Sequence, residues 1–389
     1  MSRTAFDVGQ IIRDYGEEFF AGHQCVTQVR KSFGAMAACR TKRLGGHVEQ
    51  CVDCGEIHVS YNSCRDRHCP KCQHKDREVW IRMRKDEVIP GVKYFHVVFT
   101  IPDALHPIAM ANMELFFGCM FRSVRDTLDK FFETQGLQGG MTCLLHTWGS
   151  NLFYHPHIHC IVTGGGIDAD GVWHRLNGCK GARDFLFPVH ALSRVFRAKM
   201  LASLTRTLKK EELDPIPQDV RKACMKNDWV VYSRPPAKGV DQVLEYVGRY
   251  AYRAAISNSR IKYVSPDGMV TYEYKDYRSG GRHKLMRVKA VEFLHLFSLH
   301  ILPSGFVRIR QYGVMAPSNR WKLSQIIVRA GGWSLPSHRK KISYQRICEE
   351  KGWVIGRCPR CGGFMRVTEV IKPERSPPPQ DSCPDTLAS

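Results

Sequence analysis

His157 and His159 stand two residues apart in the stretch Tyr154-His155-Pro156-His157-Ile158-His159-Cys160-Ile161-Val162-Thr163. Ile158, Cys160 and Val162 alternate with His157, His159 and Ile161, which is the pattern of a β-strand. Alternation puts both imidazoles on one face and points Ile158 the other way, into a core. Two imidazoles so placed can hold one divalent ion. Taken alone, the pair is also what two hydrogen-bonded histidines on a half-buried strand look like. His146 adds weight, because it lies on the preceding apolar run, residues 141–148, and Gly149-Ser150-Asn151 is a turn signal between the runs. A hairpin there returns His146 to the side of His157 and His159. Three histidines with coordination positions left open make a catalytic metal site rather than a closed structural one. Further on, residues 242–253 read as a helix, in which Tyr246 and Tyr250 are four apart and share a face. A phenol titrates near pH 10, so as a nucleophile it needs activation or stabilisation of its developing charge.

Cysteines make a second constellation. Cys51-x-x-Cys54 and Cys69-x-x-Cys72 are paired knuckles in a polar segment without apolar periodicity. They predict one tetrahedral structural zinc on Cys51, Cys54, Cys69 and Cys72. Cys39, His47, Cys64 and His68 are candidates for a second zinc, or ordinary packing and polar residues. Cys358-x-x-Cys361 is half a zinc ribbon, and its nearest partners in sequence, Cys348 and Cys383, lie at unconvincing spacing. His96 sits inside the apolar run 92–99 as a core histidine or an extra ligand.

A His-hydrophobic-His strand followed by a Tyr-x-x-x-Tyr helix resembles the two-tyrosine HUH nucleases, and most nearly the transposases of the insertion sequence 91 family. The resembling stretches are Leu145-His146-Thr147-Trp148-Gly149-Ser150-Asn151-Leu152, His155-Pro156-His157-Ile158-His159, Tyr246-Val247-Gly248-Arg249-Tyr250 and Ala255-Ile256-Ser257-Asn258-Ser259-Arg260-Ile261, joined by the N-terminal cysteines. The resemblance implies an α+β fold, with a central antiparallel sheet carrying the histidines, flanking helices, and a small zinc-binding domain in front. It implies Tyr246 and Tyr250 as nucleophiles on single-stranded DNA, each able to form a 5′-phosphotyrosine and free a 3′-hydroxyl. A Mg2+ or Mn2+ ion on His146, His157 and His159 would orient the phosphate, zinc would be structural, and Arg249, Arg253 and Arg260 would contact DNA. The implied role is rolling-circle transposition acting on the ends of an insertion element. Plasmid replication initiators and conjugative relaxases use the same chemistry. A non-catalytic zinc-bearing DNA-binding protein and a metal-dependent hydrolase that uses its tyrosines only for binding also stay open.

The elements that must position these groups are legible in part. Residues 6–40 and 73–88 read as helical, 92–99 as a buried strand, and 108–134 as an amphipathic helix. The hairpin 141–163 follows, and Gly164-Gly165-Gly166 is expected to end its second strand. A basic helix over 189–212 and a short strand at 229–232 precede the tyrosines. Strands near 261–264, 270–274 and 285–291 come after them, with turns at Pro266-Asp267-Gly268 and Ser279-Gly280-Gly281. Three units are expected: 1–91 helical and zinc-binding, 92–330 catalytic, and 331–389 basic, with a disordered Pro- and Ser-rich tail.

Composition narrows the setting. Lys and Arg number 58 against 37 Asp and Glu in 389 residues, a formal charge of +21, which favours a polyanionic partner. Residues 231–350 hold 21 Lys or Arg against 8 Asp or Glu, with tyrosines and Trp321 interleaved. Basic groups that follow a backbone and aromatic faces that stack bases suit single-stranded nucleic acid. Of the sixteen cysteines, several lie in Cys-x-x-Cys pairs, which suit metal in a reducing compartment more than a disulfide scaffold. No apolar run reaches the length needed to span a bilayer. A bacterial cytoplasmic, nucleoid-associated protein of unspecified oligomeric state is expected.

Overall fold

In the computed structural model, residues 6–176, 185–234, 244–245, 248, 251–277, 279–337 and 342–374 are described. The chain opens with α1 (Val8–Gly22) and α2 (Thr27–Ala38). Asp7 caps α1, its carboxylate accepting from Gln10 N at 3.0 Å. A hairpin of β1 (Gly46–Cys51) and β2 (Ile57–Tyr61) leads to α3 (His74–Lys85). Then come β3 (Tyr94–Thr100), α4 (His106–Ala111), α5 (Met113–Glu133), β4 (Gln138–Trp148), β5 (Tyr154–Ile167) and β6 (Trp173–Arg175). α6 (Val189–Lys210), α7 (Gln218–Lys226) and β7 (Val231–Arg234) follow. The remaining elements are β8 (Ile261–Val264), β9 (Met269–Asp276), β10 (Arg282–Lys289), α8 (Ala290–Ser298), β11 (Ile309–Gly313), α9 (Arg320–Arg329), α10 (Tyr344–Glu350) and β12 (Met365–Ile371). Among the described residues no helix is long and apolar enough to cross a membrane.

The fold is mixed α+β around an antiparallel sheet of order β11-β4-β5-β3-β7, with β6 paired to the end of β5. Pleating decides what each face carries. Phe95, Val97 and Phe99 of β3, Cys143 and Leu145 of β4, and Ile158, Cys160 and Val162 of β5 enter one core with Phe117, Phe121, Val124 and Leu128 of α5 and Phe196, Met200 and Leu204 of α6. Burying each such phenylalanine or leucine contributes about 1.5–3 kcal/mol. The opposite face carries the histidines beside a second cluster, in which Leu144 and Ile161 meet Trp80 and Ile81 of α3, Leu244, Ala251, and Ile326 and Ile327 of α9. A helix-backed sheet with a polar patch on its other face is therefore the platform of the site.

Two further sheets stand apart from this platform. In the order β10-β9-β8, Val270 and Tyr272 pack with Ile11, Phe19 and Phe33 of α1 and α2 and with Phe293 and Phe297 of α8. The N-terminal helices thus share a core with residues 255–301 of the chain. In the order β12-β1-β2, residues 365–371 pair with residues 46–51, which joins the two ends of the chain.

One local expectation is corrected. Gly164-Gly165-Gly166 does not end the second hairpin strand, because β5 continues to Ile167. A Cβ on Gly165 would lie 2.4 Å from the His174 carbonyl oxygen and 2.9 Å from the Trp173 ring. Glycine here permits the close approach of β6, so it extends the sheet instead of terminating it.

Candidate metal centre and its groove

The β4–β5 hairpin sets His146 directly opposite His157 and Leu144 opposite His159. The turn is held by Gly149 N donating to the Phe153 carbonyl at 2.9 Å. One ring nitrogen from each of His146, His157 and His159 lies within 4.8 Å of the other two. Nε2 of His157 and Nε2 of His159 are 3.0 Å apart.

Neighbouring groups orient these rings. His157 Nδ1 is 2.6 Å from the His155 carbonyl oxygen. A carbonyl can only accept, so Nδ1 is the donor and carries a proton. Burial pushes the His157 pKa down to about 4, leaving the ring neutral near pH 7 and Nε2 a bare lone pair. His159 is also held well below the usual imidazole range, by burial and then by the neighbouring imidazoles. His96 places Nε2 2.9 Å from His159 Nδ1, with the rings stacked at 5.1 Å between centroids. When His159 Nδ1 donates to His96, both facing Nε2 atoms are lone pairs at 3.0 Å, an arrangement a cation relieves. Ligands about 2.1 Å from an octahedral ion stand about 3.0 Å apart in cis positions. The donor set therefore fits a divalent ion. His96 belongs behind the ligands, where it fixes the tautomer and tilt of His159. In sequence its only mark was a histidine within an apolar strand. Trp148 stacks on the outer side of His146 at 4.5 Å.

The three histidines form part of the wall of an open groove of about 860 Å3. β9 and the residues just beyond it form the opposite wall, with Tyr274, Lys275 and Tyr277. Tyr277 is 70% exposed, and Lys275 Nζ lies 5.4 Å from its ring centroid. Glu273 is bridged by Lys262 at 3.0 Å and His283 at 2.5 Å, which offsets the carboxylate in the groove. Arg253 and Arg260 also line it. The Arg260 guanidinium donates to the Glu273 carbonyl at 2.7 Å and also to the Ser150 carbonyl. Arg260 thereby braces β9 against the hairpin turn that presents the histidines.

Tyr246, Tyr250 and Arg249 lie outside the described residues. Their neighbours Leu244, Gly248 and Ala251 are buried and helical. Tyr252 is half-buried, with Arg308 over its ring at 5.8 Å and Trp80 at 6.5 Å. Burial raises its pKa, so it is a packed phenol rather than a poised one.

The cysteines regroup. Cys51 and Cys54 do not join Cys69 and Cys72, because the two pairs sit in separate four-sulfur clusters. Cys69 and Cys72 gather with Cys39 and Cys64, with sulfurs 3.4 Å apart for Cys39–Cys72 and 3.6 Å for Cys64–Cys72 and Cys39–Cys69. Cys39 arrives at the end of α2, which packs its apolar face inward and delivers the thiol. Cys51 and Cys54 meet Cys358 and Cys361 instead. His47 and His68 are in neither cluster. His47 faces Glu49 at 3.6 Å on β1. His68 donates from Nδ1 to Asp66 at 3.0 Å and accepts at Nε2 from Leu302 N at 3.1 Å, tying the knuckle to the chain beyond α8.

Comparison with known proteins gives two family matches. Residues 140–322 match a model described as "Putative transposase", and residues 11–101 match one described as "Transposase zinc-binding domain". A protein of Sinorhizobium fredii named "Putative transposase y4qJ" is 39% identical, covering 97% of this chain and 98% of its own. The "Transposase for insertion sequence element IS801" of Pseudomonas savastanoi pv. phaseolicola is 30% identical, covering 86% of this chain and 82% of its own. Among solved structures, a conjugative relaxase bound to DNA aligns with a TM-score of 0.25 and 10% identity, over 58% of this chain and 95% of that one, too distant to inform the fold.

Proposed function

The chain belongs to the transposases of the insertion sequence 91 family, and from that premise we propose that it cuts and rejoins single-stranded DNA at the ends of an insertion element through tyrosine-linked intermediates. The observation that carries this reading is the convergence of His146, His157 and His159 on the wall of a groove whose other wall is basic and aromatic.

Single-stranded DNA would lie in the groove, its bases stacked on Tyr277 and its phosphates near Lys275. His146, His157 and His159 would hold a divalent ion, which supplies Lewis-acid polarisation of the scissile phosphate. The group contains no carboxylate, and three imidazoles suit Mn2+ better than the oxygen-seeking Mg2+. Tyr246 and Tyr250 are the proposed nucleophiles. Their four-residue spacing puts both on one face of the helix that the sequence predicts over residues 242–253. The phenol oxygen forms a bond to phosphorus as the bond to the 3′-oxygen breaks; the phenolic proton passes to solvent, and the leaving 3′-oxygen takes up a proton from water. The products are a 5′-phosphotyrosine and a 3′-hydroxyl. Attack by another 3′-hydroxyl reverses the step and joins the strands without ATP. Two tyrosines allow one end to be held while a second is cut.

In this reading residues 92–330 carry the reaction. Cys39, Cys64, Cys69 and Cys72 hold a structural zinc within 1–91, and 331–389 form the basic C-terminal region that carries Cys358 and Cys361. The setting is the bacterial cytoplasm, at the nucleoid. The test is a metal-dependent covalent adduct on a single-stranded oligonucleotide carrying an element end, mapped by mass spectrometry. An adduct on Tyr246 or Tyr250 that disappears in chelator supports the reading. Cleavage without any adduct would leave a hydrolase instead.

A further inference from the structure

Cys51, Cys54, Cys358 and Cys361 bring four sulfurs within 4.8 Å of one another from opposite ends of the chain. We propose that they form a second structural zinc site, a ribbon that locks residues 342–374 onto the N-terminal module. The site goes beyond the catalytic reading and does not depend on it.

The geometry is that of a tetrahedral shell. Sulfur separations are 3.5 Å for Cys51–Cys361, 3.6 Å for Cys54–Cys358 and 3.3 Å for Cys54–Cys361. Zinc–sulfur bonds of about 2.3 Å in a tetrahedron give edges of about 3.8 Å. Disulfides would need about 2.05 Å, and these cysteines are unbonded. Each pair sits on a tight knuckle, closed by Gly55 N to the Cys51 carbonyl at 3.1 Å and by Gly362 N to the Cys358 carbonyl at 2.9 Å. Arg360 N points at Cys358 Sγ and Gly363 N at Cys361 Sγ, each at 3.4 Å. Amide dipoles aimed at sulfur favour the thiolate that a metal requires.

Packing supports the same conclusion. The only buried apolar cluster around the ribbon among the described residues is Cys51, Cys358 and Met365. Three side chains are too small a core to hold a three-stranded sheet in water, and domains this poor in core normally rely on a metal or disulfides. Pairing of β12 with β1 brings the knuckles together, and zinc would supply the free energy that the core does not.

The lock has a structural consequence. Between β11 and β12 the chain runs through α10, which packs on α3. Glu350 accepts from Arg82 at 3.0 Å, Lys351 pairs with Glu78, and the His74 and Trp353 rings lie 5.1 Å apart. The same helix also presents Trp80 and Ile81 to Leu244 and Ala251. Zinc at the ribbon would therefore hold the clamp on the helix against which Leu244, Gly248 and Ala251 seat.

The full-length protein, dialysed against a mild chelator to remove exchangeable ions, should retain two zincs per chain. Cys54 and Cys361 are exposed in the structure, yet they should resist alkylation until the metal is stripped. Cys358→Ser with Cys361→Ser should retain one zinc and become readily cleaved by protease within 342–374. Cys361→His should keep both zincs, because imidazole can replace one thiolate. Wild-type protein holding one zinc, with Cys54 and Cys361 alkylated at the rate of free thiols, would overturn the proposal, and so would two zincs in the double variant. The wild-type labelling decides the matter even if the double variant fails to fold. An adduct-negative protein that carries two zincs would leave this site standing and remove only the catalytic reading.

Discussion

Gly248 and Ile81 are in such close approach that a Cβ on Gly248 would stand 2.2 Å from Ile81 Cγ1. The backbone at Gly248 is therefore pressed directly onto α3. Gly248→Ala should displace that segment at a cost of about 1–3 kcal/mol, the usual range for overpacking. Adduct formation should fall about tenfold or more while metal content stays unchanged. Trimming the partner, in Gly248→Ala with Ile81→Ala, should recover part of the loss in a double-mutant cycle.

The histidine centre should be exchangeable, unlike the cysteine clusters. His157→Ala with His159→Ala should abolish cleavage and Mn2+ binding while oligonucleotide affinity changes little, because the ion acts at one phosphate. His96→Ala should weaken Mn2+ binding roughly 10–100-fold through loss of its bond to His159. His96→Gln should restore part of it. Calorimetric Mn2+ titration reads both outcomes.

Tyr246→Phe and Tyr250→Phe keep the ring and remove only the hydroxyl. Each should block complete strand transfer, and the double variant should yield no adduct while still binding DNA and Mn2+. An adduct at the wild-type rate in the double variant, or one mapped to Tyr252, would reassign the nucleophile.

Tyr277 stands exposed on the groove wall, where it can stack on a base. Tyr277→Ala should weaken single-stranded DNA binding by about 1–3 kcal/mol, and Tyr277→Phe should not. Wild-type affinity should fall steeply with added salt as counterions are released. Fluorescence anisotropy across a salt series measures both effects.

His300 is buried beneath the centre, with Nδ1 3.1 Å from Thr147 Oγ1 and Nε2 2.8 Å from the Leu152 carbonyl. Burial pushes its pKa down to about 4. An ordinary imidazole titrates near about 6.5. As pH falls below that value, the unfolded chain takes up a proton that the folded chain refuses, so stability drops until pH reaches about 4. At about 1.4 kcal/mol per unit, this one group accounts for a loss of about 3 kcal/mol. His300→Gln should flatten the fall in melting temperature between pH 6.5 and 4, relative to wild type.

The ribbon and the histidine hairpin mark the limit of what could be read without coordinates. His146, His157 and His159 were legible because their relation is local. A period of two sets the face, and a turn eleven residues away or fewer sets the register. The helices behind the sheet were legible for the same reason, since the stripe Phe117, Met120, Phe121, Val124 and Leu128 needs only its own spacing to declare a buried face. The cysteines were not. Nearness in sequence argued for pairing Cys51 and Cys54 with Cys69 and Cys72, but β12 lies beside β1 and brings in the knuckle just ahead of it, with Cys358 and Cys361, from more than 300 residues away. Cys39 likewise reaches Cys72 only because α2 docks against α1 and α8. His96 became the partner of His159 through the β3–β5 register, which no local pattern encodes. Short-range periodicity therefore determined the elements and the face on which the chemistry sits. Long-range strand pairing and core packing, whose energies depend on residues far apart in the chain, decided which side chains meet.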